Sequence, residues 1–90
     1  MTSKVYLALQ DNDVSRYIVE AVEADNPGVV VIHQPAMIRM EREGSLVVNK
    51  ATVESMLGQS WDVQELHLNL VTIGGNVDED DDCLTLSWNR

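Results

Sequence analysis

A chain of 90 residues, 44% of them apolar, can bury one core, but at a formal charge of −9 it cannot neutralise a nucleic-acid backbone. Its six Lys and Arg form no cluster, so an anionic membrane surface is equally unfavourable, and a basic protein surface suits this charge best. No apolar run spans a bilayer, no apolar segment follows Met1-Thr2-Ser3-Lys4 as a secretory signal requires, and the single cysteine, Cys83, excludes an internal disulfide. The chain is therefore read as one domain, residues 1–90, expected in the cytoplasm.

There is no Phe, so Val, Leu, Ile and Met must fill the core. Val5 to Leu9 alternates weakly and predicts a first strand. Asp11, Asn12 and Asp13 offer capping oxygens for a helix. Val14, Tyr17, Ile18, Ala21 and Val22 then fall on one helical stripe, with Ser15, Arg16, Glu20 and Glu23 toward water and Arg16 able to pair with Glu20. Asp25-Asn26-Pro27-Gly28 ends the helix, with Pro27-Gly28 as the central pair of a type II turn. Val29 to His33 is continuously apolar and predicts a buried strand. Beyond Gln34-Pro35, Ala36, Ile38 and Met40 alternate with Met37, Arg39 and Glu41. With Leu46-Val47-Val48 across Arg42-Glu43-Gly44-Ser45, they predict a hairpin.

Asn49 or Thr52 can cap a second, short helix with Val53, Met56 and Leu57 inward, and Gly58 fits the residue just past its end. Gln59 to Glu65 reads as a connection plugged by Trp61. Leu66, Leu68 and Leu70 alternate with His67, Asn69 and Val71, predicting a strand over Leu66–Ile73 that ends at Gly74-Gly75-Asn76. Asp78-Glu79-Asp80-Asp81-Asp82 reads as a solvated acidic loop. In the last strand Leu84, Leu86 and Trp88 alternate with Cys83, Thr85 and Ser87. The order is β-α-β-β-β-α-β-β, a mixed chain with antiparallel pairs. A ferredoxin-like β-α-β-β-α-β sandwich is the nearest alternative.

Residues for chemistry are scarce. Asp78, Asp80 and Asp82 share the first spacings of a calcium loop, but Cys83 stands where glycine is needed and Asn89 where a bidentate Glu belongs. His33, His67 and Cys83 have no metal-ligand spacing and read as two half-buried strand histidines and a strand cysteine. The five acids before Cys83 disfavour its thiolate. No G-x-S-x-G elbow and no glycine loop joining strand to helix is present. Met37, Met40 and Met56 read as core filler, and Trp61 and Trp88 as packing anchors, either of which can serve as an interface hot spot if exposed.

Five segments carry a resemblance. They are Ala21 to Gly28, Pro35 to Glu41, Gly44 to Val48, Ala51 to Gly58, and Asp62 to Leu70, in order within Val14 to Asn76. Together they resemble the small regulatory (effector, or coupling) proteins of soluble diiron multicomponent monooxygenases, the MmoB/DmpM family, in its phenol hydroxylase branch. The resemblance implies an α+β fold of two β-α-β-β-type units, with small, roughly orthogonal sheets and two or three short helices. It implies no cofactor, no metal and no catalytic residue in this chain. It also implies docking on the diiron oxygenase (hydroxylase) component, which reshapes that enzyme's active site and couples NADH oxidation, through an iron–sulfur flavoprotein reductase, to hydroxylation. Methane-oxidising relatives carry long terminal tails, and tail-dependent regulation is not expected here.

The family supplies no short docking motif, so candidate contacts come from this sequence: Trp61, His67, Asn69 and Thr72, and the turn Gly74, Gly75 and Asn76. Two other functions compete. One is a ferredoxin-like domain sensing a small molecule. The other is an enzyme in its own right, for which the sequence offers no residues.

Overall fold

Residues 4–88 are described by a computed structural model. Seven strands form two antiparallel sheets, with helices between them in the chain: β1 Lys4–Gln10, α1 Asp13–Asp25, β2 Val30–Gln34, β3 Met37–Glu43, β4 Ser45–Asn49, α2 Lys50–Leu57, a 3-10 turn Val63–Glu65, α3 Leu66–Asn69, β5 Leu70–Gly74, β6 Asn76–Glu79 and β7 Cys83–Ser87. One sheet has the order β2-β3-β1-β5 and the other β4-β7-β6. The mixed α+β class expected from the sequence is what the structure shows. In the larger sheet β2 runs parallel to β1 with β3 between them, the split arrangement of the ferredoxin-like alternative, but β4, β6 and β7 form a second sheet which that alternative lacks.

Strand β1 is the axis of the fold. Paired on both sides, it leaves Val5, Leu7, Ala8 and Leu9 with no exposed surface. Ile38 and Met40 stand opposite Leu9 and Leu7, and with Leu46, Val48, Leu84 and Leu86 of the second sheet they form one continuous core. Each such side chain removed from water contributes about 1.5–3 kcal/mol of gross stabilisation.

The predicted ends of α1 and α2 agree with the structure. Asn12 caps α1 by accepting from the Ser15 amide at 2.9 Å, and Gly58 adopts φ +75° beyond α2. Val29 N donates to Asn26 O at 3.1 Å across Pro27-Gly28, where Gly28 has φ +85°, as a type II turn requires. Asn49 holds the α2 cap position without a side-chain cap bond, and its Nδ2 donates to Asp25 Oδ2 at 2.9 Å.

Five expectations are corrected. First, the face of α1 is rotated. Ser15, Ile18, Val19, Ala21 and Val22 are buried and Tyr17 is exposed, while Arg16 turns toward the helix start to pair with Asp11 and Asp13 rather than Glu20. Second, β2 is an edge strand whose apolar run is half open to water, and its His33 is exposed. Third, β3 and β4 are not a hairpin. Both edges of β3 are occupied by β1 and β2, so the chain turns through Gly44, at φ +88°, into the second sheet; the hairpin is β2–β3, closed at Pro35-Ala36.

Fourth, Leu66–Ile73 is not one strand. Its first half is α3, so Leu66 is fully buried while Leu68 is exposed and His67 stands on a helix. A capping box starts the turn before it: Asp62 Oδ1 accepts from the Gln64 amide at 2.9 Å, and Glu65 Oε2 accepts from the Asp62 amide at 3.3 Å. Fifth, two of the five residues of the acidic run are strand. Asp78 and Glu79 belong to β6, and Asp80 holds the turn into β7 by accepting from the amides of Asp82 and Cys83.

A candidate docking corner

The segment from α3 to β6 forms a corner joining the two sheets. β5 is an edge of the larger sheet and β6 an edge of the smaller, and Gly74-Gly75 links them. The corner closes on itself: His67 Nε2 of α3 lies 2.7 Å from Glu79 Oε1 at the end of β6. This cross-link is partly exposed, so it organises the surface more than it stabilises the fold.

Six of the seven predicted contact residues lie along this corner. His67 is on the open side of α3, and Asn69, half-buried, ends that helix. Asn69 Oδ1 accepts from Asn12 Nδ2 at 2.7 Å, tying the corner to the start of α1. Thr72 stands opposite Ala8, on the face of the larger sheet that also carries Tyr6, Arg39 and Gly74. Gly74 is required by packing, since a Cβ there would fall inside the Tyr6 ring. Arg39 stacks on that ring 4.0 Å from its centroid and binds Glu41 at 2.6 Å. Gly75 has φ +133°, a conformation that glycine alone adopts readily, and Asn76 Nδ2 reaches Trp88 O at 3.4 Å.

Trp61 does not belong to the surface. Its side chain is 3% exposed, its amide donates to Glu54 Oε2 at 2.8 Å, and its Nε1 is buried without a partner. It is packed into the core, as the predicted plug. Trp88 is instead half-exposed, with Nε1 donating to Lys4 O at 2.7 Å.

The sequence reading missed the most exposed apolar residues of the corner. Leu68 is 77% exposed and Val71 49%, on either side of Asn69. The signal was available in Asp62-Val63-Gln64-Glu65: a capping box predicts a helix, and a helix that buries Leu66 turns Leu68 outward. Glu79 was missed because its partner, His67, is 12 residues away on α3.

Chemically, the corner offers hydrogen-bond donors and acceptors beside apolar side chains. Among the described residues no group of three or more His, Cys, Asp or Glu is placed to hold a metal ion. Asp80 is held below its ordinary carboxylate value by the amides of Asp82 and Cys83, which serves a turn.

The chain is 58% identical, over 98% of both chains, to the phenol 2-monooxygenase stimulatory component DmpM of Pseudomonas sp. (strain CF600). It superposes with a TM-score of 0.92 and 54% identity on a chain of a solved phenol hydroxylase–regulatory protein complex, covering 97% of this chain and all of that one. At 17% identity and a TM-score of 0.75, covering 96% of this chain and 65% of the other, the soluble methane monooxygenase regulatory protein B shares the fold. The MmoB/DmpM family pattern matches residues 3–87. The chain therefore belongs to the MmoB/DmpM family.

Proposed function

We propose that the chain is the regulatory component of a phenol hydroxylase, working without a cofactor and performing no reaction itself. The observation that supports this most is the 58% identity with the DmpM stimulatory component across 98% of both chains. The protein binds the hydroxylase component and raises its turnover. Physically, it favours the working conformation of that enzyme by the difference in its affinity for the working and resting states. A coupling of about 1–3 kcal/mol gives a 5–150-fold effect.

The docking surface in this proposal is the corner carrying His67, Asn69, Thr72, Gly74, Gly75 and Asn76, flanked by Leu68 and Val71. Its mixture of apolar area and directed polar groups supports that reading. The hydroxylase holds the diiron centre, and the iron–sulfur flavoprotein reductase is an indirect partner that delivers electrons from NADH. Productive use of those electrons depends on the regulator being bound, and the whole chain acts as one regulatory unit in the cytoplasm. Titrating the chain against purified hydroxylase by calorimetry tests the proposal. Saturable binding is expected, and no heat and no co-elution would reject it.

A further inference from the structure

We infer that Asn12 is a positioning residue that decides which end of the Asn69 amide faces the hydroxylase; this rests on the docking corner proposed above. The two amides are 57 residues apart in sequence and meet at the start of α1. Asn12 Oδ1 accepts from the Ser15 backbone amide at 2.9 Å. A backbone N–H can only donate, so the oxygen end of Asn12 is fixed toward the helix and its Nδ2 is fixed toward Asn69. Nδ2 can only donate, so the atom facing it at 2.7 Å must be Asn69 Oδ1.

It follows that Asn69 Nδ2 is turned away from Asn12. Among the described residues it has no protein partner. Asn69 is half-buried at the end of α3, with the exposed Leu68 and Val71 on either side. The helix cap thus presents a directed N–H donor close in the chain to the exposed Leu68 and Val71. The matching feature on the hydroxylase is a carbonyl or carboxylate oxygen. A flipped amide would present an acceptor to that oxygen and repel it. The cap of α1 therefore sets the polarity of the corner.

Asn12→Asp separates the two roles of Asn12. Aspartate caps a helix as well as asparagine and suits the helix start electrostatically, but it places an oxygen where Nδ2 was. The Asn69 amide must then flip to donate inward. The experiment compares wild type, N12D, N69A and N12D/N69A by melting temperature and by Kd for the purified iron-loaded hydroxylase. N12D is expected to melt with wild type and bind about tenfold more weakly, the size of one lost hydrogen bond. N69A is expected to weaken binding similarly, and the double variant to be no weaker than N69A. The Asn69 side-chain NH2 signals should move in a nitrogen–proton NMR spectrum of N12D while the α1 backbone amides stay in place.

If N69A binds as wild type, the docking reading of Asn69 fails. If N69A weakens binding and N12D does not, or if the two losses add, the role of Asn12 fails. Should N12D melt early, N12S carries the same comparison, since serine caps the helix without reaching Asn69.

Discussion

The ring of Tyr6 occupies the space in which a side chain at Gly74 would stand. The two residues are directly opposed across β1 and β5, and the ring shields a glycine that would otherwise leave the edge strand thinly packed. Gly74→Ala is expected to destabilise the chain by about 1–3 kcal/mol, because the methyl must displace an aromatic ring held by Arg39. A cycle with Tyr6→Ala checks the cause in thermal melts: Gly74→Ala should cost much less when the ring is absent.

Asn26 joins α1 to the second sheet. It is 1% exposed, donates from Nδ2 to Val22 O and Val47 O at 2.8 Å each, and accepts from Val47 N at 2.9 Å. Asn26→Ala leaves the Val47 amide and carbonyl without these partners and is expected to cost about 2–4 kcal/mol, measured by urea unfolding. Hydrogen exchange at the Val47 amide left unchanged in N26A would contradict this; faster exchange at Val47 is expected.

Asp80 makes the β6–β7 turn sensitive to acid. Its carboxyl is held below the ordinary value of 3.8, first by the Asp82 amide and then by the Cys83 amide. The folded chain therefore prefers the carboxylate. The resulting stabilisation is complete above the ordinary carboxylate range and is lost as pH falls through the lowered folded value. Asp80→Ala should melt below wild type near neutral pH, and the gap should close below about pH 4.

Asn69 and Thr72 are predicted to act at the surface and Trp61 from within. The double substitution Asn69→Ala with Thr72→Ala should leave the melting temperature within a few degrees of wild type and reduce stimulation of phenol hydroxylation at limiting regulator. Trp61→Phe removes a buried N–H that has no partner, so it should be close to neutral in stability and in stimulation. Trp61→Ala should cost about 3–5 kcal/mol by opening a cavity. Equal loss of stimulation in Trp61→Phe and in the double variant would contradict this division.

The parts legible from sequence are those set by neighbours in the chain. Asn12 and Gly58 mark helix ends through local backbone geometry, and the alternation of Leu84 and Leu86 marks a strand with one buried face. The parts that were misread depend on distant partners. Leu46-Val47-Val48 has the same pattern whether it pairs with β3 or β7, and only the occupied edges of β3 decide between them. The alternation of Leu66, Leu68 and Leu70 suggested a strand, whereas the Asp62 and Glu65 caps start a helix there. His67, Asn69 and Thr72 can be singled out as polar residues between apolar ones without knowing whether the stretch is strand or helix. Trp61 reads both as a plug and as a contact candidate, because an aromatic anchor looks the same in a core and at an interface, and its burial fits the plug.

The most direct measurement is the rate of phenol hydroxylation by hydroxylase and reductase as the purified chain is added, with NADH consumption followed alongside. A saturable rise in rate and in product per NADH, with no product from the chain alone, is the expected result. A flat rate and an unchanged ratio at every concentration, or product formed by the chain without the hydroxylase, would contradict the proposed role.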